Sequence, residues 1–283
     1  MPRRQQATAR QQRLGAELRK LREAAGLKGR DAAELLGTDS AQVSQFEAGL
    51  AGVSEARLRR IAAHYACTDE ELVDALAVMA ADRTRGWWED YRGRLPSSFL
   101  DLSELEHHAS YQWDVEFLFI PGLLQTEDYA RALFSSRVPQ LPDEETELRV
   151  RHRMQRRVIL ERARPMPYQA VIHEAALRMM VGSRAAARSQ LARVLELSGA
   201  ESTTVRVIPF TLEHLIDVGA AMVYAGGAVP RLDTVVRDGP HGTGFVDSEA
   251  QLGVFRTHFR RLESASLDPG RSRDFIHRLT KEL

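Results

Sequence analysis

Apolar positions in the first eighty residues fall at helical spacing. Leu14, Leu18, Leu21 and Ala25 recur at steps of four, three and four, which predicts one apolar stripe on a helix that ends at Gly26. A second helix fits residues 31–36. Gly37 then supplies a turn, and Thr38 or Asp39 is placed to cap a short third helix that turns Val43 and Phe46 inward and stops before Gly49. Ser54 is placed to cap a fourth helix with Leu58 and Ile61 inward. Thr68 and Glu71 have capping-box spacing for a fifth, carrying Leu72, Leu76 and Met79. The second and third helices give the sharper pattern: Ala33 is small where two helices must approach, Gly37 sits at the turn, and Val43 and Phe46 follow as apolar anchors. Two helices crossing at a tight turn require that order.

The pattern changes after residue 81. Asp82-Arg83-Thr84-Arg85-Gly86 is polar and breaks the helical period, so residues 1–81 read as one all-α domain, 82–94 as a linker, and 95–283 as a larger domain. Trp87, Trp88 and Tyr91 read as an aromatic anchor beside the linker. Beyond it, Tyr111, Trp113, Val115, Phe117 and Phe119 alternate with Gln112, Asp114 and Glu116, the period of a strand. Further strands fit 168–172, 203–209, 221–224, 232–237 and 244–246. Helices fit 127–134, 144–164, 174–181, 185–197, 249–263 and 271–283, so the larger domain is expected to be α+β, with a strand order the pattern does not give.

Composition narrows the class. At 283 residues, with 43% hydrophobic and 28% charged, the chain has material for two packed cores. No apolar run approaches the length of a membrane span, and Met-Pro-Arg-Arg-Gln-Gln at the start is followed by no apolar stretch, so a cytoplasmic chain is expected. The single Cys67 excludes an internal disulfide and reads as a buried small side chain in a helical setting beside Ala66. Net charge is zero but unevenly spread: residues 1–30 hold nine Lys or Arg against Glu17 and Glu23, and residues 31–80 hold three Arg against nine acids. A basic first helix with an arm carrying Arg3 and Arg4 reads as a phosphate footprint or as a solvated basic surface.

Residues 14–76, with Leu-Arg-Glu-Ala-Ala-Gly-Leu at 21–27 and Val-Ser-Gln-Phe-Glu-Ala-Gly at 43–49, resemble the Xre or Cro/repressor-type helix-turn-helix family. The resemblance implies a partly buried ion pair between Arg22 and Glu47 that joins the first helix to the third. It also implies that the third helix enters the major groove of double-stranded DNA, presenting Ser40, Ala41, Ser44 and Gln45 to base edges with Gln42 at the flank. Gln45 has the chemistry for a bidentate contact to adenine. With no Arg or Lys on that helix, affinity is expected from phosphate contacts by Lys28, Arg30 and the first helix, including Arg19. Many members begin the second helix with Thr-Gln-Glu. This chain has Lys28-Gly29-Arg30, a more electrostatic anchor.

The larger domain is similar to a domain of unknown function that follows such helix-turn-helix domains in many actinobacterial regulators. The residues that carry this likeness are Ile120-Pro121-Gly122-Leu123-Leu124-Gln125-Thr126-Glu127-Asp128-Tyr129-Ala130, His173-Glu174-Ala175-Ala176-Leu177, Gln190-Leu191 and Ile208-Pro209-Phe210. Relatives of the WhiJ kind, described as antitoxin-like and encoded beside a small partner protein, imply a domain that binds a small protein or a signal. Catalytic motifs are missing: there is no His-Glu-x-x-His, no cysteine pair, no P-loop and no dinucleotide glycine pattern. His107-His108, His173-Glu174 and residues 238–242 are too isolated to read as ligands, so no enzyme, metal or cofactor is expected. Three readings remain: a homodimeric transcriptional regulator answering to a partner protein, an antitoxin-like protein that sequesters a small partner and autoregulates, and a small-molecule-sensing regulator.

Overall fold

A computed structural model describes residues 7–82, 84–212, 221–239 and 242–283. Arg3, Arg4, Arg83, Pro240 and His241 lie outside the described residues. The chain divides into two compact units, Met1–Asp90 and Tyr91–Leu283, at a boundary inside the span read as a linker. No helix among the described residues is long and apolar enough to cross a membrane.

The first unit holds five helices: α1 (Ala9–Ala24), α2 (Gly29–Leu35), α3 (Ser40–Glu47), α4 (Glu55–His64) and α5 (Glu70–Ala81). Leu18, Leu21, Val43, Phe46, Leu58, Ile61, Leu72 and Leu76 are buried together with Ala32 and Ala33. The stripe on α1 is less apolar than its spacing predicts. Leu14 is half-buried and Ala25 is exposed, while the charged Arg13 and Glu17 are buried. They are tolerated because they answer each other: Arg13 Nε donates to Glu17 Oε1 at 3.0 Å, and Lys20 Nζ donates to the same oxygen at 2.6 Å. Asp69, not Thr68, caps α5 by accepting from the Leu72 amide at 3.0 Å. Met79 is half-buried, and Ala77 and Ala80 complete the inward face.

Cys67 departs from expectation in the same region. It is half-buried and lies past the end of α4, in the turn that closes that helix. The Ala66 amide bonds to Ala63 O and the Cys67 amide to Ala62 O, both at 3.0 Å, which is the paired capping pattern that needs a left-handed residue. Ala66 fills that position at φ 53°. Beyond α5, Trp87–Tyr91 forms a 3-10 turn in which Trp88 is buried.

The second unit contains a helix that apolar spacing does not reveal, α6 (Ser97–His108). Its buried positions are Leu100, Ser103 and Glu106, so two of three are polar and the hydrophobic period is masked. Then follow β1 (Tyr111–Glu116), α7 (Glu127–Ser135), α8 (Asp143–Gln155), α9 (Val158–Glu161), β2 (Tyr168–His173), α10 (Glu174–Arg178), α11 (Arg184–Leu197), β3 (Thr203–Ile208), β4 (Met222–Gly226), β5 (Thr234–Gly239), β6 (Gly242–Val246), α12 (Glu249–Ala265) and α13 (Pro269–Glu282). The single helix expected over 144–164 is two, parted at Arg156 and Arg157. β1 ends at Glu116, short of Phe117 and Phe119.

The six strands make one mixed sheet in the order β3-β2-β1-β4-β5-β6. β1, β2 and β3 are parallel, and β4, β5 and β6 continue antiparallel from β1. On one face Tyr168, Ala170, Ile172, Val205 and Val207 pack against α7, α9, α10, α11 and α13. On the other, Val115, Val171, Tyr224 and Val235 pack against Leu252, Phe259 and Leu262 of α12. Two faces covered by helices explain why these strands are rich in Val and Ile.

The left-handed Ala66 gives a direct test. Ala66→Gly removes a Cβ from a conformation that disfavours it and is expected to stabilise the protein by about 1 kcal/mol. Urea unfolding checks this, and a lowered midpoint would contradict the capping geometry.

Candidate nucleic-acid interface

α3 is eight residues long and fixed at both ends. Before it, Gly37 takes φ 63°, so that the Gly37 amide bonds to Glu34 O at 3.1 Å and the Thr38 amide to Ala33 O at 2.9 Å, closing α2. Asp39 Oδ1 then accepts from the Gln42 amide at 2.7 Å and opens α3. At its other end α3 meets α1 without an intervening side chain. A Cβ on Gly15 would lie 2.4 Å from the Glu47 carbonyl oxygen and 2.6 Å from that of Phe46, so only glycine fits.

Seven residues along α1, Arg22 grips the same end of α3. Its Nε and Nη2 donate to Glu47 Oε1 and Oε2 at 2.7 and 3.0 Å, and its Nη1 donates to Leu27 O at 2.7 Å. The two side chains are 10% and 9% exposed, which makes this fork a mostly desolvated one. Tyr65 lies close enough for burial, helped by Glu47, to push its hydroxyl up to about 12.

Val43 and Phe46 face inward, and Ser40, Ala41, Gln42, Ser44 and Gln45 are all exposed. They are not equivalent. Gln42 Oε1 accepts from Thr38 Oγ1 and, at 2.9 Å, from Arg57 Nη2 of α4, while the Arg57 guanidinium lies over the Phe46 ring at 5.5 Å. Gln42 thus serves as a brace whose carbonyl is committed. Arg57 was not singled out by the sequence, because a lone arginine on an amphipathic helix carries no spacing signal. Ser44 Oγ donates to Ser40 O at 2.9 Å. The Gln45 carboxamide has no hydrogen-bond partner among the described residues, leaving its donor and acceptor both available.

The cations sort differently from the expectation of a basic first helix. Arg13 and Lys20 are held by Glu17 and Arg22 by Glu47. Arg10 lies 3.7 Å from Asp82, and Arg19 is exposed but bonded to Glu23 at 2.8 Å. The positive run along α1 is therefore largely answered inside the unit. Lys28 and Arg30, at the start of α2, are exposed and make no ion pair among the described residues. The acids Asp31 and Asp39 stand beside them as caps.

A family model described as a helix-turn-helix domain matches residues 13–76, the span of α1 through most of α5. A second, described as a domain of unknown function, DUF5753, matches residues 99–278. The chain belongs to the DUF5753 family. No curated protein and no solved structure matches it.

Within the DUF5753 domain the residues that carry the sequence likeness hold one another. Gln125 is buried, donating to Ile120 O at 2.7 Å and accepting from Arg153 Nη1 at 2.6 Å. Gln190 donates to Leu124 O at 2.8 Å and accepts from the Thr126 amide at 2.7 Å, tying α11 to the loop after β1. Thr126 caps α7, and Tyr129 O–H accepts from the Ile120 amide at 3.1 Å. His173 Nδ1 caps α10, and Glu174 Oε2 accepts from the Phe210 amide at 2.8 Å, so the second and fourth segments are joined as well. Among the described residues no three His, Cys, Asp or Glu side chains are grouped to hold a metal.

The Arg22–Glu47 fork carries a quantitative expectation. Arg22→Met strands the Glu47 carboxylate and is expected to cost about 3–5 kcal/mol, whereas Arg22→Met with Glu47→Met costs less than that single change. A denaturation cycle over the four proteins decides it. Additive losses would show that the fork has no coupling.

Proposed function

We propose that this chain is a sequence-specific, Xre-type transcriptional regulator of the bacterial cytoplasm that binds double-stranded DNA as a homodimer. Its DUF5753 domain receives the signal, a partner protein or a small ligand, that sets occupancy. It acts by binding and not by catalysis. The observation that carries this reading is the uncommitted Gln45, flanked by exposed Ser40, Ala41 and Ser44, on a helix whose placement is fixed by Gly15, Arg22 and Arg57. Side chains with no packing duty on a rigidly held helix are free to read base edges.

Lys28 and Arg30 supply phosphate contacts at one end of the helix-turn-helix, and two copies read half-sites about one helical turn, roughly 34–36 Å, apart. The antitoxin-like relatives implied by the sequence resemblance favour a partner protein as one form of the signal. In that form DNA binding serves autoregulation.

Fragments selected from genomic DNA by the purified chain supply the operator for the test. Gln45→Ala is expected to cost about 1–3 kcal/mol of discrimination at one base pair of each half-site. Arg30→Ala weakens operator and random DNA alike and lowers the slope of log K against log salt by about 1. Equal losses on operator and random DNA for both variants, or no fragment preferred over bulk competitor, would overturn the proposal.

A further inference from the structure

β1 turns Gln112, Asp114 and Glu116 toward the face occupied by α8, and the first two are buried at 0% and 2% exposure. Most of the polar groups there are satisfied. Tyr168 O–H and Gln112 Nε2 donate to the two oxygens of Asp114 at 2.7 and 2.8 Å, and Arg156 forks onto Glu106 at 2.8 and 2.5 Å. Gln112 Oε1 is buried without a partner, and two charged groups are left over besides. The Glu116 carboxyl has no hydrogen bond or ion pair among the described residues, and Arg153, one turn before Arg156, has no described carboxylate within 4.0 Å. The Arg153 guanidinium lies 4.8 Å over the Phe134 ring and commits only Nη1, to Gln125. Arg153 and Glu116 nevertheless sense each other's charge. Burial pulls Arg153 down to about 10 with Arg156 adding to the effect, and burial pushes Glu116 up to about 8 with Asp114 adding to it.

Strand register brings a second carboxylate to the same place. Asp114 pairs with Val223 and Val223 with Val236, both antiparallel, so two residues further on Glu116 and Asp238 share one face at one end of the sheet. Two strand spacings separate them, roughly 10 Å. Asp238 accepts from Thr243 Oγ1 at 2.7 Å. β1 sits where the sheet changes from parallel to antiparallel: β2 and β3 run parallel to it on one side, and β4 runs antiparallel on the other.

We propose that the carboxyl end of β1 binds a small α-amino carboxylate, its carboxylate on the Arg153 nitrogens that Gln125 leaves uncommitted and its ammonium between Glu116 and Asp238. An anion alone would satisfy Arg153 while adding negative charge beside two carboxylates. A cation alone would sit against Arg153. A ligand carrying both signs, separated by one carbon, answers both of the charged groups. This deepens the signal-receiving role proposed above and rests on it for its consequence, but capture itself is read without DNA.

The test uses the full chain, melted in the presence of the common amino acids one at a time, with calorimetric titration of any that stabilise it. Controls are the matching carboxylates without the amine and amines without the carboxylate. One or a few amino acids are expected to raise the melting temperature and the controls to bind at least roughly tenfold more weakly. Glu116→Gln and Arg153→Gln are each expected to reduce affinity roughly ten- to hundredfold. Glu116→Gln, which removes an unpaired carboxyl, melts at or above the parent. If Arg153→Gln does not fold, Glu116→Gln and the charge-keeping Arg153→Lys decide. The proposal is overturned if no amino acid shifts the melt, if a plain carboxylate binds as tightly, or if Glu116→Gln binds like the parent. Failure of capture with operator binding intact sinks this site alone. Capture without operator binding sinks the regulator and leaves the site.

Discussion

The contact between the backbones of α1 and α3 at Gly15 governs the first unit. With no Cβ between them, the two helices approach until carbonyl oxygens of Phe46 and Glu47 face the Gly15 Cα. That approach sets the register of α1 against α3, and two turns later Arg22 stands where it forks onto Glu47. The end of α3 is then held by sterics and by a desolvated ion pair, and its flank by Arg57 through Gln42. Because these inward and lateral contacts already fix α3, none of Ser40, Ala41, Ser44 or Gln45 is needed for packing. The proposed reading of bases by those four positions depends on that division of labour.

Much of this unit was legible because a small helical domain must place its apolar residues at a narrow set of spacings. Five helices, the turn at Gly37 and the inward pair Val43 and Phe46 follow from that requirement. What escaped has a common cause. Gly15 looks like a weak point in a helix until a second backbone is brought against it. Arg13 and Glu17 look like surface charges until each is seen to bury the other. Thr68 has capping-box spacing with Glu71, and only the chain path gives the cap to Asp69 instead. Spacing reports which side of a helix faces inward, whereas close approaches and compensated charges depend on what it faces.

The larger unit shows the same limit more strongly. All six strands overlap the runs that predict them, with β4, β5 and β6 shifted by one or two residues at their ends, but α6 escapes because its inward stripe includes Ser103 and Glu106, partners of His152 and Arg156. The four motif segments are recognisable as sequence, whereas their purpose is visible only in three dimensions. Gln125, Thr126, Gln190 and Glu174 are hydrogen-bonding residues that join loops to helices, and such partners are distant in sequence, 64 residues apart for Thr126 and Gln190. No local pattern contains that information.

The alternation in β1 gives the strand a polar side, which would ordinarily face water. Both sides are instead covered. On one, Trp113 stacks on Phe259 at 4.6 Å and on Tyr224 at 4.9 Å, and Tyr224 is pinned by Asp233 at 2.6 Å. On the other lie Gln112, Asp114 and Glu116. A strand anchored so firmly by aromatic stacking on one face can carry unfavourable electrostatics on the other without shifting to relieve them. Selection for stability alone would replace Glu116 and Arg153 with apolar residues. Opposite charges kept near each other, the Glu116 carboxyl unbonded and Arg153 committed only through Nη1, therefore point to a function that requires them apart until something bridges them.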